Sequence, residues 1–288
     1  MLQDLSFGKM ENAFHNTLPS ESSIVICIQD GHILLHRDND DTLRLPHYAT
    51  AVQWAQDAAW PHWNDHPFQY VFRLQDTDYF VWMGRSGDCP DNEFHYESVR
   101  QLRQLVSKDL CFGMMTARHL YVWYQNNRFC GRCAAPTVHD SKERMLRCPE
   151  CGNMIFPRIS PAVIVAVTDG DRLLLSKYAG RAYTRYALIA GFTEIGETLE
   201  QTVAREVMEE VGLRVTNIRY YKSQPWGVDG NILAGFYCDL DGDDTIHIDE
   251  TELSMAQWYP RDNLPAHDDG ISLTREMIRV FEEGREPK

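Results

Sequence analysis

Three glutamates and an arginine within six residues carry the clearest chemistry in the chain. They lie in Gly191–Leu213, GFTEIGETLEQTVAREVMEEVGL. In this stretch Gly191 is followed after five residues by Glu197, and after seven more by Arg205-Glu206-Val207-Met208-Glu209-Glu210-Val211-Gly212-Leu213. Glu206 and Glu210 are four apart and share a helix face, with Glu209 one step round and Glu197 at the mouth of the helix. Carboxylates gathered beside apolar residues repel one another unless a cation sits among them. Oxygen-only ligands suit magnesium or manganese, which keep part of their water shell and take substrate phosphates at open positions. A solvated helix with an ordinary Arg205–Glu209 ion pair is the plain alternative. The combination of two glycines, Glu197, the Arg-Glu pair and the Glu-Glu pair at set distances argues against it.

The element that must position these groups is a helix. Thr198 with Gln201 three residues on can form a capping box at its start. Leu199, Val203, Val207 and Val211 give it a buried stripe, and Gly212 suits a left-handed stop.

A second constellation is Cys130-Gly-Arg-Cys133 and Cys148-Pro-Glu-Cys151, with fourteen residues between the pairs. Two knuckle turns of this spacing present four thiolates tetrahedrally, as in a zinc ribbon. Four ligands leave no open position, so the expected zinc is structural. Cys27, Cys89, Cys111 and Cys238 show no such spacing. Arg128, Arg132, Lys142, Arg144 and Arg147 make the ribbon the most cationic stretch of an acidic chain.

At 288 residues and 43% hydrophobic, the chain can bury one large core or two smaller ones. Its net charge of −14 makes non-specific binding to nucleic acid or anionic membrane a poor fit. An anionic substrate would need local cations to reverse the field. The N-terminus has no basic segment followed by an apolar core, and the longest apolar run, Ala162–Val167, is too short to span a bilayer. Paired cysteines without a secretion signal favour metal over disulfide and a cytoplasmic, reducing location.

Before residue 125, strands are expected at Ile24–Ile28 and Ile33–Leu35 about an Asp30-Gly31 hairpin turn, and at Phe68–Leu74 and Tyr79–Met83 across residues 75–78. Val99–Val106 reads as an amphipathic helix with Leu102, Leu105 and Val106 on one side. His47, His62 and His66 stand near aromatic residues and read as packing or surface groups. Further on, Ala162–Val167, Arg172–Lys177, Tyr186–Ala190, Val215–Gln224, Ile232–Asp239 and Glu252–Tyr259 read as strands and Leu273–Glu283 as a helix.

The Gly191–Leu213 pattern resembles the Nudix box throughout, so the chain is similar to the Nudix hydrolases. The resemblance implies an α/β/α sandwich with the box as loop-helix-loop, and hydrolysis of a pyrophosphate by metal-activated water. It makes Glu206, Glu209 and Glu210 catalytic and Arg205 the brace of the box loop through Glu197. The zinc-ribbon spacing, the preceding segment and Ser223-Gln224-Pro225-Trp226 narrow it to the NADH pyrophosphatase subfamily, over about Cys130 to Pro265. That resemblance implies cleavage of NAD(H) to NMN(H) and AMP, removal of NAD caps from RNA, and a homodimer. Glu206, Glu210, Glu252 and the Ala190 carbonyl would hold magnesium or manganese, and the four ribbon cysteines one zinc. Phe156, Phe192, Gln224, Pro225, Trp226, Glu143 and Thr274 fall at substrate-contacting positions. The subfamily pattern after Trp226 is commonly Pro-Phe-Pro, and here it is Gly227-Val228-Asp229. A broader hydrolase of ADP-ribose, dinucleoside polyphosphates or FAD, and a non-catalytic nucleotide- or RNA-binding module, are the alternatives. The expected architecture is a mixed α+β domain over 1–125, a zinc ribbon over 126–157 and the Nudix sandwich over 158–288.

Overall fold

The computed structural model describes residues 1–38, 42–55, 67–84, 93–180, 185–265 and 270–288. His62, His66 and Cys89 lie outside them. The chain divides into two units, Gln3–Arg158 with Gly227–Gly230, and Met1–Leu2 with Ile159–Trp226 and Asn231–Lys288.

In the first unit Asp30 and Gly31 both have positive φ, the geometry a two-residue hairpin requires. They join β2 (Ile28–Gln29), which follows β1 (Ile24–Ile26), to β3 (His32–Arg37), which also pairs with β4 (Leu43–Arg44). Helix α1 spans Tyr48–Ala55. The second hairpin, β5 (Phe68–Leu74) with β6 (Thr77–Trp82), turns more tightly than expected, because Gln75 takes a left-handed conformation and Leu74 pairs directly with Thr77. Strand β7 (Phe94–Ser98) adds to β3. Val25, Cys27, Leu34, Phe68, Tyr70 and Phe80 form the core here.

The helix expected over Val99–Val106 is only the turn α2 (Leu102–Leu105), and Leu105 is exposed. Ser107 then caps a nineteen-residue helix, α3 (Lys108–Asn126), that the sequence reading passes over. Its apolar residues run round more than one face and Gly113 interrupts them, so it shows no clean stripe. Three two-residue strands, β8 (Val138–His139), β9 (Leu146–Arg147) and β10 (Met154–Ile155), form the ribbon.

The second unit is built on β11 (Ser160–Asp169), parallel to β15 (Asn231–Leu240) and antiparallel to β12 (Arg172–Tyr178) and β13 (Ile189–Phe192). β14 (Val215–Trp226) and β16 (Leu253–Pro260) complete the sheet in the order β14-β15-β11-β12-β16. The strand expected at Tyr186–Ala190 is displaced: it begins at Ile189 and runs through Gly191 to Phe192. Alternation along β11 sends Val163, Val165 and Val167 to one face and Ile164 and Ala166 to the other. The first face packs on α4 (Leu199–Val211) through Val203, Val207 and Val211. The second packs on α5 (Leu273–Glu282) through Leu273, Met277, Ile278 and Phe281. A sheet covered by a helix on each face is the expected α/β/α sandwich. Among the described residues no helix is long and apolar enough to cross a membrane.

Candidate active site and zinc centre

Helix α4 forms where its capping chemistry says it should. The Thr198 hydroxyl accepts from the Gln201 N–H at 3.2 Å, and the Gln201 Oε1 accepts from the Thr198 N–H at 2.8 Å. Gly212 ends the helix at φ +70°. With Val203, Val207 and Val211 fully buried, the residues one step back are drawn under the same surface: Glu206 is 8% and Glu210 2% exposed.

Glu206 is pressed against β13. A Cβ on Gly191 would stand 1.9 Å from its carboxyl carbon, so only a hydrogen fits there. Burial pushes the Glu206 carboxyl up, with Glu209 and Glu252 adding to the effect and Arg205 opposing it.

Arg205 organises the loop. Its Nε and Nη2 donate to the two oxygens of Glu197 at 2.6 and 3.0 Å, a bidentate pair. Nη2 also donates to the Phe192 carbonyl at 2.9 Å, and Nη1 to Glu206 and Glu209 at 2.8 Å each. Glu197 accepts further bonds from the Glu194 N–H at 3.1 Å and the Thr202 hydroxyl at 3.0 Å. The Arg205 bonds, above all, hold its carboxyl down to about 2. Arg205 thus ties the Phe192–Glu197 loop to helix α4. Thr202, fully buried, is a supporting residue that the sequence reading missed; its one signal is a position a single turn after Thr198.

Two buried carboxylates one turn apart, one of them lodged where a side chain would otherwise stand, suit a hard cation whose charge offsets their desolvation. The other expected ligands lie apart in character. Glu252 is exposed at the foot of β16, and Ala190 pairs with Ile164 within the sheet. Glu209 keeps 59% of its side chain exposed.

Of the expected substrate positions, Phe192 and Phe156 both present exposed rings, at 54% and 53%. Pro225 is exposed on β14, and Trp226 and Thr274 are half-buried. Gln224 is fully buried: its Nε2 donates to the Ile271 carbonyl and its Oε1 accepts from the Leu273 N–H, both at 2.8 Å. Those two amide bonds face the chain itself and secure the start of α5. Glu143 is exposed in the ribbon, its N–H bonded to Asp140. Gly227–Gly230 packs within the first unit. A Cβ at Gly227 would fall 2.3 Å from the Met115 carbonyl, Val228 is buried, and Arg118 donates to the Val228 carbonyl.

The four ribbon sulfurs lie within 4.8 Å of one another, with Cys130–Cys151 at 3.6 Å and Cys133–Cys148 at 3.4 Å. Tetrahedral Zn–S bonds of about 2.3 Å place sulfurs roughly 3.8 Å apart, so the cluster fits zinc. The knuckles repeat one design. Ala134 and Gly152 take left-handed conformations and donate to the Cys130 and Cys148 carbonyls, at 2.8 and 3.1 Å. Backbone N–H groups of Arg132 and Cys133 bring the Cys130 thiol down to about 6, while, against the Ala135 N–H, hydrogen bonds with Cys148 and Cys151 push the Cys133 thiol up.

Residues 158–281 match the NUDIX domain family and residues 125–156 the NADH pyrophosphatase zinc ribbon domain. The chain belongs to the Nudix family, with a zinc ribbon ahead of the catalytic-type fold. It is 36% identical over 201 residues to the NAD-capped RNA hydrolase NudC of Klebsiella pneumoniae (strain 342), covering 69% of this chain and 75% of that one. The protein of the same name from Pectobacterium atrosepticum is 37% identical over 235 residues, covering 80% and 82%. That from Stutzerimonas stutzeri is 38% identical over 186 residues, covering 65% and 67%.

Proposed function

We propose that this protein hydrolyses the pyrophosphate of NAD(H) to NMN(H) and AMP and removes NAD caps from RNA 5′ ends, acting in the cytoplasm as a homodimer. The observation that carries the reading is the pair Glu206 and Glu210, buried on one helix face, with Glu206 seated against Gly191 and bonded to Arg205. The substrate class is supported by the ribbon's match to that of NADH pyrophosphatases and by relatives named NAD-capped RNA hydrolases.

Glu206, Glu210 and Glu252, with the Ala190 carbonyl, would hold magnesium or manganese. When bound, such ions neutralise a pyrophosphate and lower the pKa of water. The chain's own part is to keep Glu206 and Glu210 desolvated through the packing of α4, and to aim Glu206 through its bond to Arg205. Glu209 or Glu210 takes the proton from the attacking water. Phe192, whose carbonyl accepts from Arg205, offers an exposed ring on which a base can stack.

The broader reading, with ADP-ribose, dinucleoside polyphosphates or FAD as substrate, rests on Gly227-Val228-Asp229. The packing of these residues on α3 accounts for the glycine and the buried valine without reference to a substrate. A non-catalytic binder would have no need to keep the three glutamates and their brace together.

The test is product analysis by mass spectrometry after incubation with NADH and with NAD-capped RNA, with magnesium and manganese varied. NMNH and AMP are expected from NADH. A preference for ADP-ribose or FAD of tenfold or more in kcat/KM, about 1.4 kcal/mol, would replace the substrate assignment. Light scattering reads the dimer.

A further inference from the structure

The connection from β15 to β16, residues 241–252, carries Glu252 and is fastened along its length. The Asp241 N–H donates to the Arg214 carbonyl at 2.9 Å. Asp244 accepts from Arg172 at 2.8 Å, its carbonyl accepts from the Trp258 indole at 3.1 Å, and Arg172 lies over the Trp258 ring. The next two ties reach the acidic helix itself: His247 N–H donates to the Val211 carbonyl and Asp249 N–H to the Glu210 carbonyl, both at 3.0 Å. These are carbonyls of the last helical turn, which lack partners inside the helix. Gly212 permits the approach, since a Cβ there would stand 3.1 Å from the Cβ of His247.

Asp249 links this anchor to Glu252. Its Oδ1 accepts from the Thr251 N–H at 2.8 Å and the Thr251 hydroxyl at 2.7 Å, a local turn of the kind aspartate and asparagine side chains make. Its carbonyl accepts from the N–H groups of Glu252 at 3.1 Å and Leu253 at 2.9 Å. The Glu252 carbonyl then accepts from Ala179 at 2.8 Å. One residue thus ties the end of the helix bearing Glu206 and Glu210 to the backbone of Glu252.

We propose that Asp249 is a positioning residue: its carboxylate folds the turn that holds Glu252 in register with Glu206 and Glu210 for a shared divalent cation. This rests on the proposed reading of the box as a metal site. Both side-chain bonds fall on one oxygen and come from donors, so asparagine can accept them equally, whereas alanine cannot.

The test is manganese titration of the full-length, zinc-loaded protein, followed by the electron paramagnetic resonance of free manganese, with no substrate present. Asp249→Ala is expected to weaken binding about tenfold to a hundredfold, the usual cost of removing a group that orients a ligand. Asp249→Asn should bind like the parent. Glu252→Gln should weaken binding by itself, and Asp249→Ala added to it should weaken binding little further, because both act through one group. Equal losses in Asp249→Ala and Asp249→Asn, parent-like binding in Asp249→Ala, or an undiminished Asp249→Ala effect in the Glu252→Gln background would each overturn the proposal. If Asp249→Ala does not fold, Thr251→Val, which removes only the hydroxyl donor, decides: weakened binding supports the proposal and unchanged binding overturns it. The titration reads no product, so failure to release AMP from NADH would remove the proposed reaction without touching this result.

Discussion

Gly191 and Glu206 are in such close contact that a single methyl group on the glycine would overlap the glutamate's carboxyl group. The two are fifteen residues apart in sequence and on different elements, β13 and α4. Gly191 is therefore a steric condition for the position of Glu206.

Gly191→Ala should push the Glu206 carboxylate off its seat or open the contact between β13 and α4. Overpacking of this kind costs about 1–3 kcal/mol of stability. Activity of the folded protein should fall as well, by about tenfold to a hundredfold, because a displaced carboxylate would no longer share the proposed cation with Glu210. Thermal melting and kcat measured on one preparation check the split. Parent-like kcat would show that Glu206 tolerates displacement.

Glu210→Gln should remove most of kcat while leaving the melting temperature near that of the parent, since the helix stripe of Val203, Val207 and Val211 is untouched. Glu209→Gln is the informative partner, being exposed and bonded to Arg205. A comparable loss there, with manganese affinity unchanged, would identify Glu209 as the proton acceptor. An unchanged turnover number in Glu210→Gln would take Glu210 out of the mechanism.

The Arg205–Glu197 pair has a defined pH signature. The folded Glu197 carboxyl sits at about 2, below its ordinary value near 4.5. Its ionised form is thus favoured in the native state, and the stabilisation is present above the unfolded value. The contribution is lost as pH falls from about 5 toward 2. Acid unfolding of Glu197→Gln should be less steep over that window than the parent's, and Arg205→Lys should show the same flattening because lysine cannot make the bidentate bond. Superimposable acid limbs in parent and Glu197→Gln would contradict the assignment.

Zinc removal should act locally at first. The ribbon strands are two residues each, too short to hold together without the ion. Metal analysis should find one zinc per chain. Chelation should expose residues 128–158 to protease, and Cys148→Ser should do so without chelator. A protease-resistant ribbon after complete zinc loss would refute a structural role.

Much of the site was legible because it is local. Thr198, Gln201 and Gly212 mark the ends of α4, and the spacing of the valines states which side is buried. Two cysteine pairs of fixed spacing state their own chemistry. The helix α3 was not legible, because apolar residues on several of its sides leave no single period to read. The bonds of the Gln224 amide to Ile271 and Leu273 were not legible either, because those partners lie forty-seven and forty-nine residues away.

The sequence by itself determined the acidic helix, its caps, the Arg205–Glu197 spacing and the four thiolates, since each depends on neighbours within a few turns of chain. Only the tertiary structure decided that Gly191 must lack a side chain, that Gly227 and Val228 serve packing, and that Asp249 binds the end of α4 beside Glu252. Those relationships depend on strand order and register. Pairing β11 with β13 and β15, and seating α4 on one face of that sheet, brings distant residues within bonding distance that no local spacing encodes.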